Sequence, residues 1–331
     1  MDPLAQGQPP FARGTDRAQV TAYIVRRVWQ IIPTLAGVVL LVFFLFRHFG
    51  GDPAEILGGL LATPEQIESI REQLGLNRPI WEQLWIFVRQ ILTFDWGRSW
   101  ATSETVSNIF TTRLPATLTV MIPILVLEIA LAIPLALGVA YLRGSLTDRT
   151  IMVMTTVALS ISFLVYIIVG QWLFGFYLGW FPVQGWTDSF TTNLTKYAVL
   201  PIILAVMVSL APQTRLYRSF FLDEIGNDYV RTARAKGLSE HRIMLKHVLR
   251  NALIPILTNV AVILPGVFVG SFLIEVFFSI PGLGREVLLA VNRSDYPVIQ
   301  AVTVYLAALT MLINLVADVL YKVVDPRVVL K

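Results

Sequence analysis

Apolar residues occur in six long runs, and the segments between the runs carry nearly all of the charged residues. A helix needs about 20 consecutive apolar residues to cross the hydrocarbon core of a bilayer. The runs come close to that length, so the pattern predicts six transmembrane helices. Prolines inside the runs predict kinks, which are tolerated where neighbouring helices satisfy the freed backbone groups. The predicted spans are residues 28–46, 119–141, 151–174, 198–214, 256–278 and 300–324, the fourth shortened by Pro201 and Pro212.

The polar segment between the first two runs, residues 47–118, is itself predicted to be helical. Thr63-Pro-Glu-Gln66 has the pattern of a capping box with proline at the first helical position, and Gly75 ends the run that follows. A second helix is expected from Arg78 to Phe94, where apolar residues surround two internal charges. This stretch is too short to span a bilayer, so we expect it to lie at the interface with its tryptophans at headgroup level. For its individual residues, packing against the membrane domain is favoured over ligand binding.

The distribution of basic residues predicts the orientation. Eight lysines and arginines fall between Arg215 and Arg250, whereas the two short outer loops hold only Lys196, Arg285 and Arg293. Because basic loops stay in the cytoplasm, both termini are expected inside. The chain then divides into a polar cytoplasmic tail (1–22), a first transmembrane helix (23–46), a helical outer segment (47–118), a membrane core of five helices (119–324) that contains a cytoplasmic loop (215–250), and a cytoplasmic C-terminus (325–331).

Composition supports the same class and excludes several chemistries. Apolar residues make up 55% of the chain and the mean hydropathy is +0.67, as expected for an all-α polytopic membrane protein. The chain has no cysteine, which excludes disulfides and thiol catalysis. Its three histidines are scattered without the spacing of metal ligands, and no Ser/His/Asp or paired-carboxylate pattern occurs. The sequence therefore predicts neither catalysis nor a bound metal or cofactor.

One part of the cytoplasmic loop, residues 228–237, has the pattern of a short helix. Asp228 is predicted as its N-cap and Gly237 as the left-handed residue that ends it. Eight helical residues span about 12 Å, which is too short for stability without packing. Two interpretations are open: a basic loop attracted to anionic lipid, or a docking surface where small residues 232, 233 and 235 admit another protein. Nucleic acid is not expected, because aromatic stacking residues are nearly absent from this loop.

Three acidic residues fall within the predicted spans. Glu128 is placed near the middle of the second span, where a charge costs about 2.5–3.5 kcal/mol on insertion scales. Glu275 and Asp318 lie closer to the ends of the fifth and sixth spans. A proton or amine site and a hydrogen bond between helices are both open for Glu128, whereas for Asp318 we favour a hydrogen bond between helices or simple proximity to the interface.

The loop resembles the "EAA" loop of ABC importer permeases, in the form shown by the dipeptide/oligopeptide/nickel family. Residues 231–237 read Arg-Thr-Ala-Arg-Ala-Lys-Gly, and residues 249–255 read Leu-Arg-Asn-Ala-Leu-Ile-Pro. Permeases at large have Glu-Ala-Ala where this chain has Arg231-Thr232-Ala233, and the Leu-Pro expected further on falls at Leu249-Arg250. Further stretches similar to the family occur in order along nearly the whole chain, at residues 51–54, 74–79, 113–117, 279–285, 295–300 and 324–327.

The resemblance implies a fold and a set of partners. The fold is that of a type I ABC importer permease with six transmembrane helices, in the inner (plasma) membrane of a bacterium. The partners are the lipid bilayer, a second homologous permease subunit, two cytoplasmic ATPase subunits that bind ATP and Mg²⁺, and an extracytoplasmic substrate-binding protein. The chain has no Gly-x-x-x-x-Gly-Lys-Ser/Thr motif of its own. It is therefore expected to be a transport subunit rather than an enzyme.

The implied cargo is a di- or oligopeptide, with a nickel chelate or glutathione as alternatives. Two other classes are less favoured: a secondary transporter, which usually shows internal repeats that this sequence lacks, and a membrane-embedded enzyme, for which no catalytic pattern occurs. The implied coupling element consists of Asp228, Tyr229, Arg231, Thr232, Ala233, Arg234, Ala235, Lys236 and Gly237. Glu128 and Glu275 are candidates for the translocation path, and Pro281, Gly282 and Gly284 are candidates for docking of the binding protein.

Overall fold

The computed structural model describes residues 15–59 and 62–324, and within these ranges the chain is helical and contains no β-strand. Five segments are long and apolar enough to cross a bilayer, and a bent pair of helices makes a sixth if it is one span. The predicted class is therefore confirmed. The long helices are α1 (Thr15–Phe49), α5 (Val106–Tyr141), α9 (Val199–Ile225), α12 (Leu249–Val269) and α15 (Tyr296–Val324).

The remaining helices are shorter. They are α2 (Pro53–Gly58), α3 (Pro64–Gln73), α4 (Ile80–Leu92), α6 (Leu146–Ser160), α7 (Phe163–Gly170), α8 (Phe190–Thr192), α10 (Asp228–Ala235), α11 (Glu240–Arg242), α13 (Phe272–Phe277) and α14 (Leu283–Asn292). Three π-helical turns extend α7, α8 and α11, over Gln171–Tyr177, Asn193–Tyr197 and Ile243–Val248 respectively. The third of these turns runs directly into α12, so the chain is helical from Glu240 to Val269.

The third predicted span, residues 151–174, is not a single helix, because α6 and α7 meet at an angle of 88°. Ile161 and Ser162 have extended backbone angles at the bend. The Tyr166 hydroxyl donates a hydrogen bond of 3.1 Å to the Ala158 carbonyl, which replaces part of the helical bonding lost there. The bend needs no proline.

The N-terminal boundaries also differ from the prediction. α1 begins at Thr15, so part of the predicted tail (1–22) is helical. Residues 1–14 and the predicted cytoplasmic C-terminus, 325–331, lie outside the described residues. α5 begins at Val106, well before the apolar run that predicted it.

Two predicted helix ends are wrong for opposite reasons. Pro212 predicts an end of the fourth span near residue 214, yet α9 continues past Pro212 to Ile225 because helices on both sides pack against it. The run 256–278 is apolar throughout, yet α12 ends at Gly270, whose φ is +83°. The separate helix α13 follows. A glycine in the left-handed region therefore interrupts a helix that hydropathy alone would continue.

The outer segment holds three short helices, and its local features agree with the sequence. The capping box is confirmed, because the Thr63 hydroxyl accepts from the Gln66 N–H at 3.4 Å and the Gln66 side chain accepts from the Thr63 N–H at 2.9 Å. Asp52 caps α2 by accepting from the Ala54 N–H at 2.9 Å, and it also pairs with Arg71 of α3. Partial burial raises the pKa of Asp52, but these donors outweigh it and hold the pKa below its usual value.

Helix α4 lies against the membrane domain, as one of the two interpretations predicted. Phe87 on its inner side packs in a cluster with Val39 and Val42 of α1. Trp81 and Trp85 on the other side are 71% and 64% exposed. α4 is thus an amphipathic helix that carries tryptophans on its outer surface.

The centre of the bundle is formed by α5 and α9, and α12 packs against both. α1 and α15 pair at the edge, where Arg27 and Asp318 form a 3.0 Å ion pair that confirms the helix–helix interpretation for Asp318. The cytoplasmic ends of α5, α9 and α12 share an apolar cluster, here called the inner block. Its buried members are Ala132, Ala136, Leu137, Ala140, Tyr217, Phe221, Val230, Ala233, Ile243, Met244, Val248, Ala252 and Ile256.

A buried ion pair joins the cytoplasmic end of α6 to α9. Arg218 makes two hydrogen bonds to Asp148, at 2.9 and 2.8 Å, and the Gly144 N–H donates a third at 2.9 Å. The Asp148 side chain is only 7% exposed. The two-pronged geometry fixes the orientation of α6 on α9 as well as its distance.

Asp148→Asn is expected to lower the free energy of unfolding by about 1.5–3 kcal/mol, because it removes the charge from these hydrogen bonds. The measurement is the thermal midpoint of the detergent-purified protein. Asp228→Asn is the matched control: Asp228 also pairs with an arginine, Arg231, but its side chain is 93% exposed. The control is expected to change stability by less than about 0.5 kcal/mol. Equal losses in the two variants would contradict the role of Asp148.

Candidate functional site

The short helix α10 stands on the cytoplasmic side between α9 and α11. It begins at Asp228, but the N-cap position is Asn227, so the prediction that Asp228 caps the helix is wrong by one residue. Asn227 uses its side chain to donate to the Glu224 carboxylate at 3.0 Å rather than to cap the helix. Asp228 occupies the first turn, where its charge is favourable, and pairs with Arg231 at 3.3 Å.

The C-terminal end of α10 is a complete Schellman motif. The Gly237 N–H donates to the Arg234 carbonyl at 2.9 Å, and the Leu238 N–H donates to the Ala233 carbonyl at 3.3 Å. Gly237 has a φ of +76°, so its predicted left-handed conformation is confirmed. A Cβ atom built on Gly237 meets nothing within 4 Å. The backbone conformation, rather than crowding, is therefore what requires glycine here.

α10 has one buried and one exposed side. Val230 is fully buried and Ala233 is 6% exposed, and both belong to the inner block. Thr232 and Ala235 lie on the exposed side, together with the basic residues Arg231, Arg234 and Lys236. The predicted set of small residues is thus divided: Ala233 faces the permease itself, and only Thr232 and Ala235 are available to another molecule.

Polar contacts hold both ends of α10. At the start, the Tyr229 hydroxyl donates to Glu224 of α9 at 2.5 Å. At the end, Arg234 donates to both oxygens of Glu240 of α11, at 2.7 and 3.2 Å. Burial and the Glu224 carboxylate raise the pKa of Tyr229, and the Glu240 carboxylate raises the pKa of Arg234. Because both ends and the apolar side are held, α10 is mechanically part of α9 and α12.

Glu128 lies at the junction of α5 and α9. Its side chain is buried, and Ser209 and Gln213 of α9 are its polar neighbours. One turn further along α9, the Tyr217 hydroxyl lies 3.2 Å from the Asn259 side-chain oxygen of α12. Polar groups thus link three central helices next to the inner block. The sequence did not predict the four neutral residues of this polar group, Ser209, Gln213, Tyr217 and Asn259. The i, i+4 spacing of Ser209 and Gln213 on one face of an apolar helix is the signal that could have identified the first two.

Glu275 ties the outer loop to the bundle. It is 2% exposed, and one carboxylate oxygen accepts from the Thr117 hydroxyl of α5 at 2.9 Å. The other accepts from the Arg285 N–H at 2.6 Å. Thr117 in turn accepts from the Leu283 N–H at 2.7 Å. Both carboxylate oxygens accept hydrogen bonds from the protein, so Glu275 has the surroundings of a structural residue. Its place in the translocation path stays a prediction.

Three glycines enclose the Glu275 carboxyl group. A Cβ at Gly270, Gly282 or Gly284 would lie 2.1, 2.4 or 3.0 Å from it, respectively. Gly282 and Gly284 are buried, and Pro281 is half-buried. The part of these two glycines in docking of the binding protein stays a prediction, and their burial gives them a structural role. They allow the backbone to approach Glu275, which leaves Pro281 as the accessible member of the set.

Gly282→Ala is expected to destabilise the protein by about 1–3 kcal/mol, because the new methyl group would overlap the buried Glu275 carboxyl group. Gly266→Ala is the matched control, since a Cβ at Gly266, inside α12, meets nothing within 4 Å. The control is expected to be neutral or to stabilise by up to about 1 kcal/mol. Thermal unfolding of the two purified variants measures the difference. A Gly282→Ala variant as stable as the parent would show that the carboxyl group is not held in this place.

Comparison with known proteins agrees with this architecture of a helical membrane protein. A family model described as "Binding-protein-dependent transport system inner membrane component" matches residues 132–330, and the model for the N-terminal part of such components matches residues 20–121. The class defined by the fold is therefore that of an ABC importer permease. The chain belongs to the family of binding-protein-dependent transport system inner membrane components, and it is a multi-pass protein of the inner membrane.

Similar proteins carry names that refer to peptides. The chain is 36% identical to a Brucella abortus (strain 2308) protein named "Putative peptide transport system permease protein", over 93% of this chain and 99% of that one. It is 34% identical to a glutathione transport system permease protein of Salmonella typhi, over 92% and 98%. It is 32% identical to a dipeptide transport system permease protein of Alkalihalophilus pseudofirmus, over 93% and 99%.

Proposed function

We propose that this permease carries di- or oligopeptides and receives the force for transport through α10. The observation that carries the coupling proposal is the two-sided packing of α10: Val230 and Ala233 are fixed in the inner block, while a basic, small-residue side is free to contact a partner. The relatives named for peptides, dipeptides and glutathione support a cargo with a peptide backbone. No observation favours a nickel chelate.

The proposed partners follow from the division of labour in such importers. A second permease subunit completes the path, and an extracytoplasmic binding protein delivers the peptide. Two cytoplasmic ATPase subunits bind ATP and Mg²⁺, each with a groove for one coupling helix. The absence of a phosphate-binding loop from the sequence supports the assignment of ATP hydrolysis to those subunits and of transport alone to this chain.

Force on α10 has a defined route into the membrane. Closure of the ATPase subunits moves the exposed side of α10, and the Tyr229–Glu224 and Arg234–Glu240 contacts carry that movement to α9 and α11. α11 continues through a π-helical turn into α12, so α9 and α12 respond together. The polar contacts around Glu128 join these two helices to α5. Rocking of this unit opens and closes the path in the proposed mechanism.

Gly237→Val is expected to uncouple ATP hydrolysis from uptake or to release the ATPase subunits, because a β-branched residue at a φ of +76° costs about 1–2 kcal/mol or more and unwinds the end of α10. Co-purification of the ATPase subunits, and the ratio of uptake to hydrolysis, measure the effect. Gly226→Val is the control: Gly226 ends α9 with a φ of −72°, and its added Cβ has only ordinary contacts. Normal coupled transport by Gly237→Val would disprove the placement of the turn.

Glu128→Ala is expected to reduce uptake by about tenfold while the complex still assembles, because it removes a buried carboxyl group from the polar cluster between α5 and α9. Glu128→Gln keeps the shape and the hydrogen bonds but not the charge. If the carboxylate contributes only hydrogen bonds, the glutamine variant transports normally; if its charge or proton matters, both variants lose uptake. Unchanged uptake in the alanine variant would remove Glu128 from the mechanism.

Uptake of radiolabelled dipeptide, tripeptide and glutathione, in cells with and without this chain, tests the cargo. Loss of peptide uptake on deletion and on ATP depletion is the expected result. Transport by the chain alone in liposomes, driven by a proton gradient, would instead identify a secondary transporter. Retained peptide uptake in deleted cells, with loss of another solute, would contradict the peptide proposal but not the role of α10.

A further inference from the structure

A cavity of about 350 Å³ lies where the outer ends of α1 and α15 meet the outer segment. Its volume falls in the range of small-ligand sites, about 300–1,000 Å³. None of its lining residues belongs to α10, and neither Glu128 nor Glu275 reaches it. The cavity is therefore a separate site, and it occurs at the level where two membrane helices leave the bilayer.

The charge of the cavity is one-sided. Arg47 and Arg98 line it, and no acidic residue is found among the described residues of its wall. Arg47 makes one hydrogen bond, of 3.4 Å to the Leu76 carbonyl, and Arg98 makes one of 3.1 Å to the Ser103 carbonyl. A guanidinium group has five N–H donors, so both keep donors for an anion. The carboxylate of Asp52, which acts on Arg47 electrostatically, is already bound by Arg71.

The wall changes from apolar to polar in the outward direction. Along α1 it runs from Phe43 to Arg47, whereas α15 contributes both polar and apolar residues, from Ala301 and Gln300 to Pro297 and Tyr296. Four residues of helix cover about 6 Å, so the change occurs within the thickness of the interfacial region. Phe87 of α4 completes the apolar part. A ligand that fits this wall has an anionic end towards the outside and a hydrocarbon body towards the bilayer.

The apolar side of the cavity continues onto a membrane-facing surface. Leu40, Leu41 and Phe44 of α1 are exposed, at 41%, 62% and 37%, immediately inward of the cavity. Nearby, α4 presents its exposed Trp81 and Trp85, a residue type enriched at the membrane interface. These side chains offer hydrocarbon contact to a molecule that enters the cavity from the bilayer.

We propose that this cavity binds an anionic phospholipid of the outer leaflet. The phosphate group is held by Arg47 and Arg98, and one acyl chain leaves the apolar part of the cavity and continues along the exposed side of α1. Free phosphate shares the anion chemistry but would leave the apolar half of the cavity unfilled. The bound lipid joins α1, α15 and the outer segment, which fixes the outer segment on the membrane domain.

The test measures lipid retention by the full chain in its purified transport complex, after delipidation and addition of one defined lipid, by native mass spectrometry. Phosphatidylglycerol is expected to bind at least about tenfold more tightly than phosphatidylethanolamine, and Arg47→Gln with Arg98→Gln is expected to abolish that preference. Arg47→Lys with Arg98→Lys is expected to keep it. Arg89→Gln is the control, since Arg89 of α4 is exposed and does not line the cavity.

A separate arm adds inorganic phosphate, which is expected not to displace phosphatidylglycerol at equal concentration. Displacement there would identify a free-anion site, and equal binding of both lipids would show that no anion is recognised; either result overturns the proposal. If the double glutamine variant does not assemble, Arg98→Glu takes its place, because Arg98 is exposed and has a single contact. Unchanged retention by that variant also overturns the proposal.

Discussion

The cytoplasmic half of this permease depends on the burial of one side of α10 among the inner ends of α5, α9 and α12. An eight-residue helix has almost no stability of its own, so its shape is set by what it packs against. Val230 and Ala233 supply that packing, and Glu224 and Glu240 supply polar contacts at the two ends. A helix held in this way transmits displacement instead of unfolding, which is the mechanical property that coupling requires.

The outer half is organised differently, around a buried carboxyl group. Glu275 draws the Thr117 hydroxyl and the N–H groups of the chain that follows Pro281 into one cluster, and glycines let the backbone come close enough. A charged group at this depth costs several kcal/mol unless donors surround it. The buried carboxyl group thus favours the observed register of the loop, because this register supplies its hydrogen-bond donors. Apolar packing thus holds the helices together at one end of the membrane core, and a polar cluster holds them together at the other end.

The sequence predicted what depends on composition and short-range spacing. Hydrophobic runs located the membrane helices, and Thr63-Pro-Glu-Gln66 and Gly237 located two helix ends, because capping uses residues within a few positions of each other. The prediction of Asp228 rather than Asn227 as N-cap was wrong, since both are good caps and the local pattern does not separate them.

Long-range contacts were beyond a reading of local patterns. Pro-Gly-rich residues 281–284 have the composition of an exposed loop, but their partner Thr117 is more than 150 residues away in the chain. The bend near Ile161 was missed because serines, not glycine or proline, flank it, and averaged hydropathy is insensitive to one extended residue. The assignment of α10 as the coupling helix rests on the family resemblance. The packing of α10 supports this assignment, but spacing and burial alone would have left a docking surface and a basic loop attracted to lipid as alternatives.

The bend between α6 and α7 has a consequence for assembly. α6 is 15 residues long, so the corner stands about 22 Å along a helix that starts near Ser145, inside a hydrocarbon layer about 30 Å thick. Leu159 and Ile161 are exposed there, at 48% and 41%, beside main-chain groups that have left the helical pattern. Irregular backbone is not stable against lipid tails, only against protein or enclosed water. In the working transporter this corner must therefore be shielded from lipid, and this chain alone does not provide that shielding.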